Sequence, residues 1–491
     1  MALSEDRLRA ILAWVVIVLL GGPITTAVLL GVLNGDSPCI LCWAERTGMI
    51  LIALVGLFVI RYGPRPRYLG MAVLLGLWGT FMAIRHSSLH LARDVGQGFS
   101  TTILGVHTYV WAWVIYATVL LAIGVLLLFV RRLAPEEGIR EPGRAGRFAT
   151  GLFIVVVAAN ALQAFASTGP PPYIGQGDPV RLSLNPRHWV WSLEELQPPR
   201  ISLRGAWAIP APDPGTADPD PAHGPLADLP TLPVSGWERI GVPLEGHLSG
   251  LARDSATGRY LAVTDRWGVY LLDGTLSHVV HRVVLDPGFS VDLTPLAGAA
   301  FLGGDTVGIL CTNKSYALLM PDPQAQERAE WRHFLSTDGQ MKELGLGRFQ
   351  TVRAHQMYVM SLAFDPSARE LVTLSVPNPR HRQLVVSRFA RRDMVLSSEF
   401  RPSLAVGLTL AGPGRGLADY LVTGATVADG RLYAVSAAYS TLLVLDLQRR
   451  EVVAAYALPG LAHPVGLAAR GPELLVAQAD GRIAVVERPE P

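Results

Sequence analysis

Cysteine is scarce in this chain, with three in 491 positions. Three cannot form a disulfide framework, so a small stapled fold is excluded, and the one close pair, Cys39 and Cys42, is redox-active or catalytic if it has a role at all. Charge is thin as well: 17% of residues carry one and the net is +2. No Lys/Arg block is present to neutralise phosphates, which excludes nucleic acid as a partner. Lysine is nearly absent and arginine supplies the positive charge, a bias that reads as GC-rich codon usage more than as function. What the chain has instead is apolar residues, half of the total, a balance that suggests a membrane protein, and a length sufficient for two or three domains.

The bulk values conceal two unlike halves. Apolar runs cover about 10–33, 42–61, 68–86, 106–130 and 148–167, and each can cross a hydrocarbon core of about 30 Å as a helix. The first follows a short head with Arg7 and Arg9; it is longer than a signal-peptide core and no small-x-small cleavage site follows, so a retained membrane helix is expected. Pro23, behind Gly21 and Gly22, predicts a kink near its middle. Short cytoplasmic loops collect arginine. Arg7 and Arg9, then Arg61, Arg65 and Arg67, then Arg131, Arg132, Arg140, Arg144 and Arg147 fall on one side of the five spans, which is therefore cytoplasmic. Arg85, with Asp94 to offset it, departs mildly from that pattern. The connections at 34–41 and about 87–105 then face the opposite compartment, as does the chain after the fifth span. The expected location is a bacterial inner (cytoplasmic) membrane, with the N-terminus cytoplasmic, the C-terminal domain periplasmic and the lipid bilayer as a partner.

The expected domains are a four-helix membrane domain (1–133), a cytoplasmic loop with a fifth membrane helix (134–168), a Pro-rich periplasmic linker (169–235) and a soluble all-β domain (236–491). The linker holds Pro170-Pro171-Pro172, Pro198-Pro199 and a Pro/Ala/Asp/Gly run from Ala208 to Pro233, which cannot bury enough apolar surface to fold alone. Its exception, His188–Leu196 with two tryptophans, reads as an interfacial anchor or a short helix on the β domain. Beyond it, units of strand, Gly/Asp/Pro turn, alternating strand and a third strand recur near Gly250, Gly298, Met360, Thr423 and Val465. Such repeats predict a β-propeller of five or six blades, with room for a sixth near 336–358. The last repeat stops after its third strand, so Trp237–Leu244 is expected to close the ring. Cys311, in Gly308-Ile309-Leu310-Cys311, reads as a buried core thiol, and the scattered His and Asp residues form no catalytic cluster, so a binding platform is the default for the ring.

The chemistry concentrates in Ser37-Pro38-Cys39-Ile40-Leu41-Cys42-Trp43-Ala44-Glu45-Arg46, at the start of the second span. A Cys-x-x-Cys pair can close an exchangeable disulfide, and a helix N-terminus or a nearby arginine lowers the thiol pKa. Arg46 lies one helical turn beyond Cys42 on the same face. Glu45 reads as an orienting partner for an arginine. His86 and His90 are spaced i, i+4, but with only His107 as a conceivable third ligand no metal site is expected.

With the string Pro-Cys-x-Leu-Cys-x-x-Glu-Arg at Pro38–Arg46 and His86-x-x-Leu89-x-Leu91 after the third span, residues 1–133 resemble the DsbB family of quinone-dependent disulfide-bond formation proteins, which are four-helix membrane proteins. The resemblance implies that Cys42 is the thiol oxidised beside the quinone ring, that Cys39 is the exchanging thiol, and that Arg46 and His86 contact a quinone, ubiquinone or menaquinone. It also implies a periplasmic thioredoxin-fold or other thiol protein as partner. The chain departs from the family in one respect: the loop from His86 to Val106 lacks the second cysteine pair that relays oxidising equivalents. Either the first pair exchanges directly with a partner, or a separate protein supplies the missing pair, or the bundle survives as a scaffold. The expected function is a membrane thiol:quinone oxidoreductase whose propeller docks the partner. The alternative is a non-catalytic membrane anchor or quinone-binding subunit that scaffolds a larger respiratory or assembly complex, meeting the other subunits through its propeller.

Overall fold

The computed structural model describes residues 5–33, 38–94, 102–129, 139, 141–168, 180–182, 204–206, 211–285, 294–322, 341–379 and 381–489. The chain divides into two units, Met1–Ile174 and Gly175–Pro491.

The first unit is helical. Its first span is α1 (Glu5–Leu19) and α2 (Thr25–Leu33), joined by a π-turn at Leu20–Ile24 that holds Pro23. Proline cannot donate into the ladder, so the turn widens there, and the Thr25 hydroxyl donates to the Leu20 carbonyl at 2.7 Å. The sequence predicts a kink at Pro23; what the helix shows there is this π-turn. Next come α3 (Ile40–Tyr62), α4 (Pro66–Asp94), a short hairpin of β1 (Thr102–Ile103) and β2 (Val106–His107), α5 (Thr108–Phe129) and α6 (Arg144–Thr168). Among the described residues five segments are long and apolar enough to cross a membrane: Arg9–Gly31, Leu41–Tyr62, Pro66–Leu91, Thr108–Val125 and Arg144–Ala164. Large apolar side chains such as Val18, Leu74, Leu121 and Ile154 stand outward, as they do where the solvent is lipid. The centre holds Val16, Leu20, Ile24, Ala53, Ala83, Tyr116 and Ala149. Tyr116 of α5 fits only because Gly48 of α3 and Gly79 of α4 lack side chains: a Cβ on either would run into the tyrosine. Small residues at such crossings let membrane helices approach closely.

The second unit opens with a two-stranded ribbon, β3 (Val180–Leu182) and β4 (Arg204–Ala206). His188–Leu196 lies outside the described residues. From 211 to 233 the Pro-rich chain runs along what proves to be the fourth blade: Ala411 N–H donates to Pro225 and Ala227 N–H to Thr409, while Leu232 and Pro230 exchange bonds with Ala457, all at 2.8–2.9 Å. Leu226 and Leu232 are buried there.

After β5 (Val234–Arg239), antiparallel sheets follow around a ring. The first is β6 (Leu248–Arg253), β7 (Tyr260–Thr264), β8 (Gly268–Leu272) and β9 (Val279–Val284); the second is β10 (Leu296–Phe301), β11 (Val307–Cys311), β12 (Ser315–Pro321) and β13 (Met341–Arg348). The third is β14 (Tyr358–Asp365), β15 (Glu370–Val376), β16 (Val386–Ala390) and β17 (Leu396–Phe400). In the fourth, β18 (Ser403–Leu404) runs parallel to the outer edge of β19 (Val422–Ala428), β20 (Arg431–Ser436), β21 (Thr441–Asp446) and β22 (Glu451–Ala457). The fifth is β23 (Pro464–Arg470), β24 (Glu473–Gln478), β25 (Arg482–Glu487) and, from the other end of the unit, β5. The register pairs Ala484 with Trp237 and Arg482 with Arg239. The expected closing strand is thus present, beginning slightly earlier than the sequence suggests.

The ring has five blades, not six. The segment near 336–358 supplies β13, the outer strand of the second blade, with Gly347 opposite Tyr316. A ring this small has a narrow centre, and the innermost strands meet there through glycine. A Cβ on Gly466 would lie 2.6 Å from the Leu251 nitrogen, and one on Gly424 would lie 2.7 Å from the Gly466 carbonyl carbon. Cys311 is buried in the core between the first two blades.

Candidate redox-active site

Cys39 is the N-cap of α3. Its backbone is extended (φ −70°, ψ 169°) and its sulfur accepts the Cys42 backbone N–H at 3.3 Å. A Ser or Asp oxygen usually takes this position; here a sulfur occupies the positive end of the helix, where an anion is stabilised. The first helical turn then brings the two cysteine sulfurs to 3.2 Å, both as free thiols. A disulfide needs about 2.05 Å, so closure takes a shift on the order of 1 Å. The Cys42 thiol donating to Cys39 is the largest influence pulling the Cys39 pKa far below the usual thiol range, with His86 adding to it and burial opposing it.

His86 comes from α4 and reaches the same point. Its Nε2 faces the Cys39 sulfur at 3.7 Å and its Nδ1 meets the Glu45 carboxylate at 2.9 Å. Both side chains are 5% exposed at the level of the whole residue. The carboxylate fixes the imidazole by accepting from Nδ1–H, which leaves Nε2 toward the thiol. Thiol, imidazole and carboxylate in a line is the arrangement that activates a cysteine. Behind His86, the His90 ring stands edge-on at 4.9 Å and the Tyr109 ring lies at 4.9 Å, with the Tyr109 hydroxyl donating to Asp94 at 3.0 Å. The Tyr116 hydroxyl donates to the Glu45 backbone carbonyl, holding this turn of α3 against α5.

Arg46 points elsewhere. Residues adjacent on a helix do not share a face, and while Glu45 turns to His86, Arg46 donates to the Gln163 Oε1 of α6 at 2.7 Å and to the Ala27 carbonyl of α2 at 2.8 Å. Its guanidinium lies 5.3 Å from the Trp43 ring centre. Glu45, expected to orient an arginine, therefore orients a histidine.

Of the residues singled out from sequence, Cys39, Cys42 and His86 come together, and Arg46 stands on the neighbouring face of the same helix. Gln163, Tyr109 and Tyr116 were not foreseen. For Gln163 a signal existed: Asn160 and Gln163 are amides three residues apart inside an apolar run, and polar side chains within a membrane segment are costly enough to mark function. His90 stands edge-on to His86 and His107 stacks on Tyr109, and neither is in a group of metal-ligating atoms with His86 among the described residues. A different donor set does converge, because ligand atoms of Cys39, Cys42 and His86 lie within 4.8 Å of one another. A zinc ion with Zn–S of about 2.3 Å would hold two sulfurs roughly 3.8 Å apart. The observed 3.2 Å is tighter than that edge and suits thiol–disulfide exchange better.

No curated protein matches the chain. Among solved structures it is similar to Myxococcus xanthus glutaminyl cyclase (12% identity, 52% of this chain and 96% of that one, TM-score 0.36). It is also similar to the Myceliophteria thermophila Cps50 (Swd1) β-propeller domain (9% identity, 52% and 99%, TM-score 0.29). Likeness this faint transfers no activity. Residues 8–96, which hold the first three spans and the whole Cys39–Arg46 stretch, match the family model described as disulfide bond formation protein DsbB, so the chain carries a DsbB domain followed by a five-bladed propeller.

Proposed function

We propose that this protein is a membrane thiol:quinone oxidoreductase that forms a disulfide between Cys39 and Cys42 and passes it to a periplasmic thiol protein docked by the propeller. The observation that carries the reading is the Cys39 sulfur, placed at a helix N-terminus between the Cys42 thiol and a carboxylate-oriented histidine. In the exchange, a client thiolate attacks the Cys39 sulfur of the disulfide and Cys42 leaves as thiolate. The second client thiolate then attacks the client sulfur of the mixed disulfide, and Cys39 leaves. A thiol with a depressed pKa leaves faster, so the site favours release of the oxidised client. His86 belongs to this step, since one ring nitrogen faces Cys39 and the other is held by Glu45.

A quinone, ubiquinone or menaquinone, supplies the sink for the two electrons and two protons released when the dithiol closes again. The residues fit such a group. Arg46 brings cationic N–H donors into an apolar bundle beside Trp43 and one turn from Cys42, and quinone carbonyls are acceptors only. The arginine distribution supports an inner-membrane protein with the start of α3 in the periplasm.

One observation favours a second reading. The sequence between His86 and Val106 has no cysteine, so the relay pair is missing, and the bundle is then a quinone-holding anchor for a larger complex. Quinone reduction by the purified protein supplied with a dithiol separates the two. Wild type is expected to turn over and Cys42→Ser to lose turnover; no cysteine-dependent reduction with any quinone sinks the enzyme reading.

A further inference from the structure

The fifth span lies beyond the DsbB match, which ends at residue 96. Yet α6 puts a side chain directly on the arginine of the DsbB stretch. Gln163 is 6% exposed; its Oε1 accepts from Arg46 at 2.7 Å, while its Nε2 has no hydrogen-bond partner among the described residues. Three residues earlier on the same face, the Asn160 Oδ1 is also buried without one. An amide is half acceptor and half donor. Here the acceptor half fixes a cation, and the donor half is left buried, where an unmet N–H is costly. A group that satisfies it must offer a lone pair and no proton, must lie next to a guanidinium, and must tolerate an apolar surround. A quinone carbonyl oxygen meets all three conditions.

We propose that Gln163 is a quinone-positioning residue: its Oε1 holds the Arg46 guanidinium in place and its Nε2 donates to a quinone carbonyl, so that the added fifth helix forms one wall of the quinone site. This rests on the quinone reading above. It explains why α6 is polar at this level, whereas a plain tether to a soluble domain needs no amide there.

The test uses the full-length protein in lipid nanodiscs with decyl-ubiquinone and a short-chain menaquinone as probes. Binding is read by quenching of tryptophan fluorescence and by the quinone-dependent rise in Tm, which reports ligand affinity directly. Gln163→Ala removes both halves of the amide. Gln163→Glu keeps an acceptor for Arg46 but loses the N–H donor, and its retained ion pair guards against simple misfolding. Both variants are expected to bind quinone about tenfold more weakly and to show a matching rise in the quinone KM. The KM for the dithiol and the alkylation rate of Cys39 stay unchanged, which a general packing defect would not allow. Unchanged quinone affinity in Gln163→Glu overturns the donor role, whatever the turnover. Quinone binding that depends on Gln163 without thiol-driven turnover leaves this inference standing and removes the oxidoreductase reading. Turnover with Gln163 variants indistinguishable from wild type does the reverse, and a wild type that binds neither quinone removes both.

Discussion

Replacing Cys42 by alanine isolates what holds Cys39 as a thiolate. Three donors face the Cys39 sulfur: the Cys42 thiol at 3.2 Å, the Cys42 backbone N–H at 3.3 Å and the His86 ring nitrogen at 3.7 Å. The alanine variant keeps the last two and loses the first, which is the largest cause of the depressed pKa. A hydrogen bond to a charged group contributes about 1.5–3 kcal/mol, and 1.36 kcal/mol corresponds to one pKa unit, so the Cys39 pKa should rise by about one to two units. Cys42→Ser returns an O–H donor at the same place and should restore most of the shift. His86→Ala, which removes the most distant donor, should raise the pKa less than Cys42→Ala does. The assay is the rate of Cys39 alkylation by iodoacetamide against pH, read by mass spectrometry. An ordinary thiol loses thiolate tenfold per unit below about pH 8.5. A thiol with a depressed pKa keeps its thiolate as pH falls until the lowered value is reached, so the wild-type rate should be flat from about pH 8 down to about pH 5. The stability linkage has the same sign: the contribution of Cys39 is fully present above the unfolded thiol pKa and is lost as pH falls through the lowered folded one. A wild-type rate that drops tenfold per unit below pH 8, or a Cys42→Ala profile that overlays it, refutes the reasoning.

Cys42→Ser, supplied with a single-cysteine thioredoxin-fold client activated as a disulfide with a small aromatic thiol, should form a Cys39–client disulfide on non-reducing gels as the Cys39 thiolate displaces that thiol, and it should persist because no second thiol remains to resolve it; Cys39→Ser should form none. Gly79→Ala places a methyl group in the space of the Tyr116 ring, and overpacking of this kind should cost about 1–3 kcal/mol in unfolding measurements. Tyr116→Phe keeps the ring and loses only the bond to the Glu45 carbonyl, for about 1 kcal/mol. In the propeller, Gly236→Pro removes an N–H from the strand that closes the ring opposite Val485 and should lower the melting temperature of the isolated second unit by several degrees, while an exposed loop change such as Val406→Ser should leave it in place.

The parts of this molecule that sequence reveals are those fixed by local pattern. The five apolar runs are five helices long and apolar enough to cross a bilayer, a property that length and hydropathy decide. The irregular turn at Pro23 and the closing strand near Trp237 followed from single-residue chemistry and from counting strands. Blade number was ambiguous because β13 is separated from β12 by a long insertion, and a detached strand looks like the start of a new repeat. Within the site, the cysteine pair and Arg46 were legible from spacing. The partners of Glu45 and Arg46 were not, since His86 lies 41 residues from Glu45 and Gln163 lies 117 from Arg46. Only the packing of α4 and α6 against α3 reveals which polar groups meet, and an apolar run with two amides in it still scores as an ordinary span.

That packing also bears on the missing relay pair. Successive residues on a helix point about 100° apart, so Glu45 and Arg46 necessarily serve different neighbours. Glu45 turns toward α4 and, through His86, acts on Cys39; Arg46 turns toward α2 and α6 and stands one turn below Cys42. The two cysteines, both partly buried, thereby have different neighbours: Cys39 caps the helix and faces His86, while Cys42 lies one turn from Arg46, which is the side the proposed quinone would take. A second cysteine pair is needed when the first is sealed from clients. If Cys39 is the exchanging sulfur, as proposed above, it sits at the helix cap, ahead of the first residue of the span, and the demand left for the rest of the chain is to bring a client close. The proposal gives that task to the five-bladed ring, which is closed by its own N-terminal strand. Deleting residues 234–489 should then raise the KM for a protein client while leaving the KM for a small dithiol and the quinone affinity unchanged; an unaltered protein-client KM would mean that Cys39 needs no docking surface and that the propeller serves something else.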